Sequence, residues 1–195
     1  MIAESTGKEV FDYRVPEAYW IGNGLLDKVR LKDFYLFSHS TLKGRDKNAV
    51  KKAFSIPGIK IVPHHTLYVL MTLSLPIVKG GPNLSNEEKV IGQMDSCRIS
   101  WGTVKEVDKN ELAVLRRPLL KSGESISLGE EVISRIKYEP SIDSMKNVKR
   151  GDHVSIHWDF ACERLNESQL KNIEKYTLSD LDTINAMIKR LKKMF

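Results

Sequence analysis

The sequence has 195 residues, 41% of them hydrophobic and 29% charged, which is enough for one large domain or two small ones with a buried core. It has no run of about 18 apolar residues and no apolar segment near its start, so we expect neither a membrane helix nor a signal peptide. Residues 85–165 carry a net charge of −1 within a total of +6, which disfavours nucleic-acid binding there. Two cysteines make no disulfide framework, so we expect a reducing compartment, the cytoplasm.

The first part of the chain has helical patterns. Residues 15–54 combine Pro16, which suits a first helical turn, with apolar residues spaced close to 3.6, and 46–54 resemble a further short helix. The apolar stretch 64–78 predicts a buried helix that Pro76 ends.

The segment KGGPN at 79–83 is the clearest break in the chain. We therefore predict a helical N-terminal domain over 1–83 and a second domain over 84–195. The second domain begins with a helix over 84–94, in which Ser85 and Glu88 form a capping box.

After residue 96 the pattern changes to strands. In CRISWGTVKEV, Ile99 and Trp101 share one face and Gly102 permits a bulge or bend. Further strands are predicted at 111–117, 132–138 and 152–158, and helices from 166 and from 179, the latter capped by Ser179. The predicted fold class is α+β, with an N-terminal helical region followed by a small OB-like β-barrel with C-terminal helices.

The stretch DHVSIHW alternates in polarity. Val154, Ile156 and Trp158 are expected to point into the barrel, and His157 outward near the end of its strand. An outward histidine is either an ordinary surface residue or a group that meets a ligand or partner.

Cys97 opens the first strand, and Cys162 follows His157 by five residues. Each cysteine is either a small buried residue or a thiolate ligand for a soft metal. Because strand starts and ends can meet at one rim of a barrel, Cys97, His157 and Cys162 are candidate metal ligands. Three ligands suit an open site or one that another protein completes.

The adjacent residues His64 and His65 cannot share one helical face and lack a metal-motif spacing, so we expect one of them to cap or pack at a helix start. A nucleophile elbow, carboxylate pair and phosphate-binding glycine loop are absent. An enzyme that uses Cys97 and His157 as nucleophile and base is the alternative hypothesis. A nucleic-acid-binding OB module is a third, weaker one.

Residues 97–176 resemble the HypC/HupF hydrogenase maturation chaperones. That family has a C-x-x-x-P-G start followed by two strands, here CRISWGTVKEVDKNELAVL, and a later G-D/Q-x-V-L-V-H-x-G-F-A stretch, here GDHVSIHWDFACERL. The matching positions in the second motif include Gly151, Asp152 and His157. The whole chain also resembles a group of uncharacterised proteins with EAYWIGN, HHTLYV and CRISWG segments.

The resemblance implies a chaperone or carrier of an iron centre, not an enzyme. Cys97 would be the thiolate that binds iron carrying cyanide and carbonyl ligands, transiently, and His157 the second functional residue. Cys162, aliphatic in that family, is the possible additional ligand. The implied partners are proteins, a maturation scaffold and a hydrogenase-type large subunit, with no nucleic acid or membrane involved.

Overall fold

The computed structural model describes residues 1–41, 47, 50–51, 54–78 and 84–192. Its helices are α1 (Ile2–Thr6), α2 (Arg14–Trp20), α3 (Leu31–Thr41), α4 (His64–Val78), α5 (Leu84–Cys97) and α6 (Glu167–Lys192), with short 3₁₀ turns at Leu26–Lys28 and Asp143–Met145. Its strands are β1 (Ser100–Val107), β2 (Glu111–Arg116), β3 (Leu119–Ser122), β4 (Ser125–Leu128), β5 (Val132–Lys137), β6 (His153–His157) and β7 (Phe160–Leu165). The predicted α+β class is confirmed.

The main sheet contains five strands that pair in the closed order β1-β2-β5-β7-β6, with β6 returning to β1. All pairs are antiparallel except β5 with β7, which meet in parallel at the single pair Lys137 and Phe160. The strands β3 and β4 form a separate hairpin. The interior of the main sheet holds Val104, Leu112, Val114, Ile136, Val154, Ile156 and Ala161.

Gly102 differs from its predicted role. It pairs regularly with Arg116 and Val154, and the bulge in β1 lies between Val104 and Glu106. A Cβ atom on Gly102 would lie 2.3 Å from the side chain of Val114. Gly102 therefore allows β1 and β2 to approach closely and does not bend the strand.

A second, larger core lies among the helices. It joins Leu70 of α4 and Met94 of α5 to Ile184 of α6, and it also takes Ile126 from the β3–β4 hairpin. This core therefore contains residues from both sides of the predicted domain boundary. The boundary segment 79–83 and most of the predicted helix 46–54 lie outside the described residues.

Three helix boundaries differ from the predictions. Helix α4 continues two residues beyond Pro76, and α5 already includes Ser85, which therefore does not precede the helix as a cap. The two predicted C-terminal helices are one helix of 26 residues, in which Ser179 is internal and its carbonyl accepts a hydrogen bond from Thr183 Oγ1. Ser179 is thus not an N-cap. Among the described residues, no helix is both long and apolar enough to cross a membrane.

A buried ion cluster joins α5 to the strands. The Asp95 carboxylate accepts hydrogen bonds from Arg98 Nε and Nη2, at 3.1 and 2.9 Å, and from Arg116 Nη2 at 2.6 Å. Its Oδ1 also accepts from the backbone N–H of Leu119 at 2.9 Å. Because the Arg98 and Asp95 side chains are almost fully buried, this cluster fixes the end of α5, where Cys97 lies.

Candidate metal centre

Cys97 and His157 lie close together, and His65 joins them. His65 is the second residue of α4, Cys97 the last of α5, and His157 the last of β6. One donor atom from each of the three lies within 4.8 Å of the others, and all three side chains are half-buried. The three elements come from distant parts of the sequence, so tertiary packing alone assembles this group, which we call the His/Cys/His cluster.

The carboxyl end of α5 holds the cluster in position. The last carbonyls of a helix lack partners within the helix. Here the carbonyl of Ser96 accepts from the N–H of Trp158 at 2.8 Å, and that of Cys97 contacts His65 Nε2 at 2.9 Å. If Nε2 carries the proton, Nδ1 of His65 is the nitrogen with a free lone pair.

Trp20 of α2 packs against both imidazoles. Its ring centroid lies 4.2 Å from that of His65 and 5.5 Å from that of His157, and the two imidazoles are 5.3 Å apart. This packing removes water from the rings. Nε2 of His157 is buried and has no hydrogen-bond partner among the described residues. An unpartnered buried imidazole nitrogen is costly to maintain and is suited to accept a ligand.

Burial sets the protonation states of the cluster. It lowers the pKa of His65 and of His157, while hydrogen bonding to the Cys97 carbonyl opposes the shift in both. Burial raises the pKa of the Cys97 thiol, and a side-chain hydrogen bond with Trp158 opposes that shift. The neutral forms are therefore favoured, and neutral imidazole is the form that binds metals.

Cys162 does not belong to the cluster. The pairing of β6 with β7 shifts between Ser155 and Ile156, whose partners are Glu163 and Ala161. Cys162 is thus the extra residue of a β-bulge, a feature that re-aims side chains. Its side chain is exposed, so the expectation of a core cysteine is wrong, and the group of potential metal ligands contains His65, Cys97 and His157 but not Cys162.

Trp158 also differs from its prediction. Strand β6 ends at His157, and Trp158 and Asp159 form the turn to β7 with φ of 51° and 58°. Two central residues with positive φ are typical of a two-residue hairpin turn. Trp158 is therefore 57% exposed rather than buried in the interior of the main sheet. His157 points away from the interior of the sheet, as predicted, but residues of the helices cover its side chain.

His65 was not predicted as a site residue. The prediction that the adjacent residues His64 and His65 do not share one helical face is correct. His64 is buried among aromatic rings, while His65 faces Cys97. The sequence offers a histidine at the start of a helix but no short-range spacing to the other ligands. Only the contact between α4 and the end of α5 reveals its role.

A groove also borders His157. It has a volume of about 780 Å³ and runs between α2 on one wall and the β6–β7 hairpin with the start of α6 on the other. His157, Trp20 and Cys162 are among its lining residues. Burial, followed by the charge of Glu17, raises the pKa of the Glu163 carboxyl.

The fold and the site together define an α+β protein with an open cluster of one thiol and two imidazoles. The family comparison then places the sequence: residues 1–191 match DUF6390, a family of unknown function, and the chain belongs to that family. No curated protein and no solved structure matches the chain.

Proposed function

We propose that this protein is an accessory factor that holds a transition-metal centre transiently at the His/Cys/His cluster and shares it with partner proteins. The observation that carries the proposal is the convergence of His65, Cys97 and His157 to within 4.8 Å. In the terms of the sequence resemblance, the role is that of a HypC-like carrier in hydrogenase maturation, with the main sheet as an OB-like barrel.

The number and type of ligands support a transient site. Structural zinc sites have four protein ligands, whereas open sites keep a position for water, substrate or a partner's group. Thiolate with imidazole suits iron, cobalt, nickel and zinc of the divalent series. Iron with cyanide and carbonyl ligands, the cargo that the resemblance implies, would take Cys97 as its thiolate and leave coordination positions for a partner.

The residues around the cluster also support a metal centre that is shared with a partner protein. Trp158 lies in the hairpin turn beside Cys97 and Phe160 follows the turn; they are 57% and 36% exposed. Exposed aromatic residues are common anchors of protein interfaces. A maturation scaffold or a hydrogenase-type large subunit that contacts them would reach the cluster. A reducing compartment such as the cytoplasm would keep both cysteines as thiols.

The alternative, a Cys/His enzyme, has less support. A nucleophilic cysteine needs a lowered pKa and an adjacent base that takes its proton. Here burial raises the pKa of Cys97 and lowers that of His157, so the thiolate–imidazolium pair is disfavoured. Metal binding reverses this preference, because a coordinated thiol loses its proton.

Anaerobic purification from a host that makes the iron–cyanide–carbonyl cofactor tests the carrier role. Iron analysis and infrared spectroscopy should detect iron and the cyanide and carbonyl bands in the wild type and in Cys162→Ser. We expect Cys97→Ala to lose both signals and His157→Ala to weaken them. His39→Ala, a histidine on α3 outside the cluster, is the matched control.

A wild-type protein without iron and without bands, from a host whose own cofactor is verified, contradicts the iron-carrier role. Equal iron and bands in the wild type and in Cys97→Ala also contradict it.

A further inference from the structure

The groove beside His157 has the size and lining of a small-molecule site. Ligand pockets commonly measure about 300–1,000 Å³ and combine apolar walls with a few polar groups. Apolar and aromatic side chains form much of this wall: Tyr13, Pro16, Trp20, Ile21, Leu25 and Ile99. Its volume of about 780 Å³ falls within the range.

Two carboxylates from opposite walls face this groove. Glu17 of α2 accepts hydrogen bonds from Asn23 Nδ2 at 2.5 Å and from Gln169 Nε2 at 2.9 Å. Gln169 is itself fixed, because it exchanges hydrogen bonds of 2.9 Å with Asn166 at the start of α6. Glu17 is therefore held in position before any ligand arrives.

Glu163 supplies the second carboxylate from β7. Glu163 pairs across the strands with Ser155, which also lines the groove. The bulge turns the side chain of Cys162, the residue before Glu163, toward the groove as well. No residue of the described chain donates a hydrogen bond to the Glu163 carboxylate. Glu17 and Glu163 both line the groove, and the charge of Glu17 contributes to raising the pKa of Glu163, so the two acids lie within electrostatic range of each other.

The cation that lines the groove is already engaged. Arg14 binds Asp12 with both Nε and Nη2, at 2.9 and 2.6 Å. A bidentate pair of this kind neutralises the guanidinium. The Glu17–Glu163 end of the groove therefore keeps an excess of negative charge beside an aromatic wall.

We propose that this groove binds a small organic amine: its ammonium group between Glu17 and Glu163, and its apolar or aromatic body against Tyr13 and Trp20. Ammonium donors match the open acceptors of Glu163, and aromatic faces favour a cation and its attached carbons. The site is distinct from metal binding and does not require a metal in the cluster.

Calorimetric titration of the chelator-treated protein tests the proposal independently of the carrier role. The probes are tyramine, an aromatic primary amine, and tyrosol, in which a hydroxyl replaces the ammonium. Because tyrosol lacks the charged hydrogen-bond donor of tyramine, we expect tyramine to bind about tenfold or more tightly than tyrosol. Bound tyramine should also slow iodoacetamide alkylation of Cys162, read from its peptide by mass spectrometry.

Two variants locate the binding. Glu163→Gln should reduce the preference for tyramine over tyrosol about tenfold, whereas Glu130→Gln, an exposed acid that does not line the groove, should leave it unchanged. Cys162→Phe, which fills the groove from an exposed position, should abolish binding of both probes. Equal affinities for tyramine and tyrosol, no saturable tyramine binding, or an unchanged preference in Glu163→Gln would overturn the proposal.

Discussion

His64 is a buried imidazole without a hydrogen-bond partner. It is 2% exposed and lies among the rings of Tyr19, Phe34, Phe37 and Tyr68, with centroid distances of 4.7 to 5.9 Å. Neither ring nitrogen has a partner among the described residues. Burial, the largest cause, lowers the pKa of His64 to about 4 from an ordinary 6.5. The folded protein therefore holds His64 neutral at pH values where the unfolded chain protonates it.

His64 makes stability depend on pH. Below about pH 6.5 the unfolded state binds the extra proton, so the free energy of unfolding falls as the pH decreases toward 4, by about 3 kcal/mol from this residue. Urea unfolding of metal-free protein at pH 7 and pH 4.5 measures the loss. His64→Phe should lose less stability over the interval than the wild type. Identical losses in both proteins would contradict this assignment.

The contribution of Asp180 to stability changes with pH in the opposite direction to that of His64. Its carboxyl is 1% exposed, has no described partner, and burial raises its pKa well above 3.8. The folded state thus keeps a proton that the unfolded state releases above about pH 4, and stability falls as the pH rises. We expect Asp180→Asn to be more stable than the wild type by about 1–3 kcal/mol at pH 8, and by less at pH 5. A variant that is equally stable or less stable at pH 8 would refute the prediction; thermal unfolding at both pH values measures it.

At the scale of elements, Asp95 joins α5 to β2 and β3. Asp95→Ala leaves the buried Arg98 without its counter-ion, so we expect a loss of about 3–5 kcal/mol in the free energy of unfolding. The matched control is Asp33→Ala, which removes the partner of the exposed Arg30 and should cost about 1 kcal/mol or less. Urea denaturation of both variants makes the comparison. Equal losses would mean that the Asp95 cluster is no more important than a surface ion pair.

Some of this element structure follows from sequence periodicity, and some does not. Alternation correctly predicts most of β1 and β6, because a strand with one buried face repeats every two residues. The predicted start of β1 at Cys97 is wrong, since Cys97 ends α5 and the strand begins at Ser100. The alternation fails at Trp158, where a turn with positive φ ends the strand before the pattern does. It also misses β7, whose bulge at Cys162 breaks the period, and the continuity of α6 through Ser179, where packing overrides a capping residue.

The residues of the candidate site, which lie far apart in the sequence, could also be predicted only in part. The family resemblance paired Cys97 with His157, and the structure places them together. His65 could not be found in this way, because its relation to Cys97 depends on how α4 packs beside the end of α5. Glu17 of α2 and Glu163 of β7 likewise come from distant parts of the sequence and line the same groove. Local patterns predict elements, but the contacts between elements decide these sites.

On the scale of the whole molecule, metal should act as a cross-link between the helices and the main sheet. A ligand that binds only the folded state stabilises it by about 2.7 kcal/mol at a concentration 100 times its Kd. We expect Zn²⁺ or Co²⁺ to raise the Tm of the wild type and of Cys162→Ser. His65→Ala, Cys97→Ser and His157→Ala should lose most of this increase.

Cobalt spectra add a direct measurement to the melting curves. Co²⁺ bound to Cys97 should give a thiolate charge-transfer band that Cys97→Ser lacks and His65→Ala retains in weakened form. A Tm increase of equal size in the wild type and in all three cluster variants would show that the metal binds elsewhere.

The separation of the three cluster residues along the chain has a consequence for biosynthesis. His157 is translated 92 residues after His65, which at 5–20 residues per second is about 5 to 20 s later. During that interval a nascent chain can present His65, and then Cys97, but not the complete set. A metal held at the cluster would therefore meet its complete set of ligands only after the β6–β7 hairpin has been made, late in translation or after release, and the Cys97 thiol would stay open until then.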